Sequence, residues 1–191
     1  MTKWLSHRMV ERGIIKEEEQ ELYQFGIRNG MILLLNVVTA LVIGLLTEQL
    51  AVVAVFTLSF MVLRSYTGGY HSDSRIFCYL GSNLVLLVPV YTQAYKTSLA
   101  WLLAVLLVSA GIIFLLSPMH SKNRKLDKEE QKHFGRKARL IAALELAVLG
   151  ILWHAGQIPY AYAVYTGICI TALFMLVGKA QLWIQSHTEN G

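Results

Sequence analysis

The chain is 191 residues long, 55% apolar and only 15% charged, with three prolines and a formal net charge of +5. A soluble domain averages about 25% charged residues, and here the apolar residues come in blocks of 14 to 20 rather than at amphipathic spacing. Disorder and an ordinary water-soluble core are excluded; the composition predicts a single all-α domain, residues 1–191, that is a polytopic membrane protein.

Residues 1–28 are basic and amphipathic. Trp4, Leu5 and Met9 can share one helical face, and after Gly13 the pair Leu22 and Phe25 can share another. This predicts an N-terminal amphipathic helix that anchors the first crossing at the interface or docks substrate. No apolar run precedes residue 31, so no cleavable signal peptide is expected. Six apolar segments follow, at about 29–46, 50–63, 76–91, 99–118, 140–154 and 160–178. Only the fourth has the ~20 residues that comfortably span about 30 Å of hydrocarbon. The second has 14 apolar positions and the third is interrupted by Gly81, Ser82, Asn83 and Pro89, so either could be re-entrant. Asn36 and Asn83 are expected to hydrogen-bond between helices, and Cys169, amid apolar neighbours, to be a packing residue.

Orientation follows from the cations. With six crossings and the N-terminus inside, sixteen of the seventeen Lys and Arg lie on one side, eight of them in the link 119–139. Lysine and arginine cross poorly during insertion, so both termini, the link 64–75 and the basic loop 119–139 are expected in the cytoplasm of a multi-pass cell-membrane protein.

The chemistry-bearing stretch is 64–78, read as a loop and helix start. It holds Arg64, the pair Gly68-Gly69, His71, Asp73, Arg75 and Cys78 at the mouth of the third segment. A thiolate is a nucleophile, and an imidazole beside it can generate it and then protonate the leaving amine. Ser72, Asp73 or Ser74 could cap a helix starting just before Cys78, leaving the thiol in the first turn, where the dipole favours thiolate. His71 and Cys78 would stand about 10.5 Å apart on one continuous helix, so they work together only if the chain bends between them. On spacing alone a bland reading stays open, with His71 an interfacial loop residue and Cys78 a small buried one.

The run Arg64…Gly68-Gly69-x-His71…Cys78-x-x-x-Ser82 resembles the signature of the AgrB family, accessory gene regulator protein B of Gram-positive quorum sensing. Chain length, hydrophobic segments, amphipathic start and basic central loop are similar too. The resemblance implies a membrane-embedded cysteine endopeptidase that converts an AgrD-type precursor into a cyclic autoinducing peptide. It also implies that His71 and Cys78 are the catalytic dyad, that Arg64 and Gly69 match positions required for activity, and that the protein forms a homodimer.

Supporting roles are open to Asp73, to Ser82 as an oxyanion donor, and to Glu145. An acid inside the fifth segment needs a partner; Glu145 could orient His71 or pair structurally with Arg64 or Arg75. Lys122, Arg124 and Lys125 of the basic loop could hold the acidic end of an AgrD-type precursor, and the loop is expected to bind anionic lipid. No nucleic-acid partner is expected, since the loop lacks interleaved aromatics and contains Asp127, Glu129 and Glu130. No metal or other cofactor is expected. A small membrane transporter or peptide exporter without covalent chemistry is the competing class.

Overall fold

The computed structural model describes residues 2–68, 75–92, 97–119 and 127–188. Among them it is all-helical: α1 (Thr2–Glu11), a 3-10 turn (Glu17–Glu19), α2 (Gln20–Leu46), α3 (Leu50–Thr67), α4 (Arg75–Thr92), α5 (Leu99–Leu116), α6 (Lys128–His154) and α7 (Ile158–Thr188). Each of the six apolar segments lies in its own helix, α2 to α7. Among the described residues four helices, α2, α3, α5 and α7, are long and apolar enough to cross a membrane. Helix α4 has 18 residues with interruptions at Gly81, Ser82, Asn83 and Pro89, and α6 is apolar only in its second half. The chain is a multi-pass membrane protein.

The chain divides into two compact units, Met1–Thr39 and Ala40–Gly191, with the boundary inside α2. In the first, α1 places Arg8 over the Trp4 ring at 5.1 Å. The chain leaves α1 through Gly13 at φ +65°, and Glu19 folds back onto the Lys16 amide at 3.2 Å. Leu22 and Phe25 stand exposed on the first turns of α2.

In the second unit α7 is the central helix, packed on α3, α4, α5 and α6. Its inward positions are small or branched: Ala161, Ala163, Val164, Ile168 and Ala172 are all buried. Lipid is as apolar as leucine, so helices associate in a bilayer through close packing rather than escape from water, and small residues permit it. One apolar cluster joins α7 to α3, α5 and α6 around Leu63, Ile113, Leu149 and Met175. Another joins it to α3, α4 and the end of α2 around Val53, Phe56, Leu86 and Val90.

Two features depart from the sequence reading. Helix α6 starts at Lys128, so residues 128–139 of the stretch expected to be loop form its first twelve residues. Asp127 starts it: its side chain accepts from the Glu129 amide at 3.3 Å, while Glu130 returns to the Asp127 amide, a reciprocal cap that satisfies orphan donors. Among the described residues the asparagines do not bridge helices. Asn36 donates to Ile32 O at 3.0 Å and Asn83 to Tyr79 O at 2.9 Å, each within its own helix one turn back, where an acceptor is always in reach.

Candidate functional site

Helix pairing places the end of α3, which carries Arg64, at one end of the second unit. Tyr66 on α3 meets Phe134 on α6, with ring centroids 6.2 Å apart, and Ser59 on α3 meets Glu145 on α6, so these two helices run antiparallel. Arg139 Nε on α6 donates to Phe114 O near the end of α5 at 3.2 Å, where a cation suits the unpaired carbonyls of a helix C-terminus. The ends of α3 and α5 and the beginning of α6 therefore share one level.

A backbone joint fixes the exit from α3. The Met119 amide donates to Thr67 O at 2.9 Å, tying residues 117–119 to the last turn. Gly68 leaves that turn at φ +71°, and a Cβ there would stand 2.6 Å from Met119 O. Only glycine meets both demands, the left-handed backbone and the close carbonyl. Below the joint, Arg64 is half-buried with its guanidinium 4.8 Å from the Phe174 centroid and 5.9 Å from that of Phe60. Beside it Lys137 Nζ sits 5.7 Å from the Tyr66 ring. These aromatic faces draw cations electrostatically.

Helix α4 begins at Arg75, which makes Cys78 its fourth residue, in the first turn. There the backbone amides have no partner within the helix. Along their axes Cys78 lies three residues inside the start of α4 and Arg64 three residues inside the end of α3, about 4.5 Å each. Ser82, one turn further along α4, is half-buried. Gly69, His71 and Asp73 lie outside the described residues, as do Lys122, Arg124 and Lys125.

Glu145 has a partner other than the arginines considered for it: its Oε2 accepts from Ser59 Oγ at 3.0 Å. Ser59 is eight residues, about 12 Å along the axis, from the end of α3. The carboxylate is thus held within the bundle, where a Cβ on Gly167 of α7 would stand 2.7 Å from the same Ser59 Oγ. Three helices meet at this point. Sequence reasoning missed the Ser59 partner and the Gly68–Met119 joint, since both link residues far apart in the chain. It missed the start of α6 as well, although the Asp127-x-x-Glu130 cap could have shown it.

The family described as "AgrB: Accessory gene regulator B" matches residues 1–176. The chain belongs to that family. It is 22% identical over 148 residues to an AgrB-like protein of Clostridium perfringens strain SM101, covering 73% of this chain and 69% of the relative. With AgrB-like protein 2 of Clostridium perfringens strain 13 it shares 24% identity over 131 residues, 64% of this chain and 61% of the relative. With accessory gene regulator protein B of Staphylococcus intermedius the figures are 25% over 156 residues, 78% and 80%. No solved structure matches. Membership of the AgrB family implies a part in accessory gene regulator autoinducer processing, with an AgrD-type precursor as partner.

Proposed function

We propose that this AgrB-family chain is a cysteine endopeptidase that cleaves an AgrD-type precursor through a thioester and supports its cyclisation. The observation that carries the reading is the start of α4 at Arg75, between the two residues of the motif. It supports the bend that the pair needs, and it supports a thiolate at Cys78, in the first turn of a helix, where the dipole favours negative charge.

In this mechanism His71 takes the Cys78 proton and the sulfur attacks the carbonyl carbon of the scissile peptide bond. The C–N bond then breaks, His71 returns the proton to the departing amine, and the N-terminal part remains as a thioester on Cys78. An internal thiol or hydroxyl of the bound peptide attacks that thioester, closing a thiolactone or lactone and freeing Cys78. The exchange keeps the acyl group activated, so the site must exclude water; a place one turn inside a membrane bundle serves that need. Arg64 and Gly69 support the dyad, and Lys122, Arg124 and Lys125 hold the precursor's acidic end. Both termini and this end of the bundle face the cytoplasm in this reading, which the position of sixteen of seventeen cations supports.

Substitution tests the reading. Cys78→Ala abolishes cleavage while expression and precursor binding persist. Cys78→Ser is nearly as inactive, because a hydroxyl lacks the nucleophilicity of a thiol. His71→Ala loses most turnover and regains part of it as rising pH ionises the thiol unaided. Cleavage that survives in Cys78→Ala refutes the peptidase.

A further inference from the structure

The exposed side of α6 changes character within one turn. Before Arg139 it carries Lys132, His133, Arg136 and Lys137, all exposed. From Leu140 onward the same side is apolar and open: Leu140 is 62% exposed, Leu144 57%, Val148 45% and Ile151 67%. The opposite side, with Gly135, Ala138, Ala142 and Leu149 buried, is the one packed on the bundle. A helix side that is apolar and this exposed in a membrane protein faces acyl chains, so hydrocarbon ends on α6 between Arg139 and Leu140.

That boundary places the cations at a definite depth. Lys137 and Arg136 stand about 4.5 and 6 Å along the axis beyond Leu140, within a headgroup layer about 5–7 Å deep on each face of a bilayer. Lys132 stands about 12 Å beyond it, with a flexible stem that reaches back toward the boundary. The acid on this side, Glu129, is three residues further out.

We propose that Lys132, Arg136 and Lys137 form a binding surface for the phosphates of anionic phospholipid headgroups. Continuity with the lipid-facing side decides the partner. Phosphate is the anion that lies beside this surface in a bilayer, whereas an acidic peptide would have to displace it. The surface also touches the joint described above: Lys137 lies over Tyr66, whose ring meets Phe134. A bound headgroup therefore borders the contact that holds the start of α6 against the end of α3.

Binding can be measured on the full chain in detergent with no precursor present, independently of the peptidase reading. Palmitoyl-oleoyl phosphatidylglycerol, and the choline lipid with the same chains, are titrated and followed by native mass spectrometry. Lys132→Gln with Arg136→Gln should weaken phosphatidylglycerol about 25-fold, roughly fivefold per near-surface charge. Choline-lipid binding should not change, and Lys132→Arg with Arg136→Lys should restore the anionic lipid. Unchanged phosphatidylglycerol affinity overturns the proposal. If hexaglutamate binding falls instead, the surface is a dock for acidic peptide.

Discussion

Cys78 and Cys169 are the two thiols of the chain, and they stand at different positions along their helices. Cys78 occupies the first turn of α4, and the Gly68 joint closes the last turn of α3. Cys169 lies eleven residues into α7, half-buried, with Ser109 and Tyr165 as neighbours. It lines a cavity of about 380 Å³ with Trp101, Leu102, Val105 and Tyr162. A thiol in the first turn of a helix meets unpaired amides that favour its anion; one in mid-helix meets only amides already bonded. Position along a helix is what distinguishes the two thiols, and it favours the anion at Cys78.

The comparison is most exposed at Gly68. Gly68→Ala puts a methyl 2.6 Å from Met119 O and holds alanine at φ +71°. Strain of this kind costs about 1–3 kcal/mol, and the chain can relieve it only by moving the joint from which the motif departs. Processing should fall on the order of 10-fold to 100-fold, read as initial rate on equal amounts of inserted protein. Unchanged rates would mean that the joint does not set the position of the motif.

A smaller effect is expected in alkylation. At pH 7, iodoacetamide should label Cys78, in a Cys169→Ala chain, roughly tenfold faster than it labels Cys169 in a Cys78→Ala chain, since thiolate fraction and access govern the rate. Equal rates, followed by intact mass, would erase the distinction between the two sites. Cys169→Ala should itself process precursor at the wild-type rate.

The smallest effect belongs to Glu145. Glutamine keeps an oxygen for the Ser59 hydroxyl, so Glu145→Gln should change turnover by less than about threefold, whereas Glu145→Leu strands that hydroxyl in the bundle, at about 1–3 kcal/mol. Thermal unfolding in detergent should separate the two variants. A large rate loss in Glu145→Gln with unchanged stability would return Glu145 to the role of orienting His71.

The helices were legible because unbroken apolar runs leave a chain in lipid few alternatives to helix. Where charge and apolarity share one helix, the reading was poorer. The cations of 119–139 spoke for a loop, yet Asp127 and Glu130 begin a helix that carries five of them outside the hydrocarbon. Asn36 and Asn83 spoke for bridges between helices, but a carbonyl one turn back in the same helix takes the side-chain N–H of each. Ser59 and Glu145 are 86 residues apart, and no local pattern announces their bond. The motif 64–82 was visible as an unusual gathering of functional groups, while its assignment to a family rested on the resemblance of the whole stretch.

The account turns on a covalent bond at Cys78, and one measurement addresses it directly. A chain carrying Cys169→Ala, with Cys78 as its single thiol, is mixed with an AgrD-type precursor whose internal nucleophile has been removed, so that an acyl-enzyme cannot be discharged by cyclisation. Intact mass spectrometry should then show the chain heavier by the N-terminal fragment. Hydroxylamine should remove the added mass, as expected of a thioester, and digestion should place it on the peptide containing Cys78. Precursor cleavage with no such adduct, or an adduct that persists when Cys78 is replaced by alanine, would contradict the assignment.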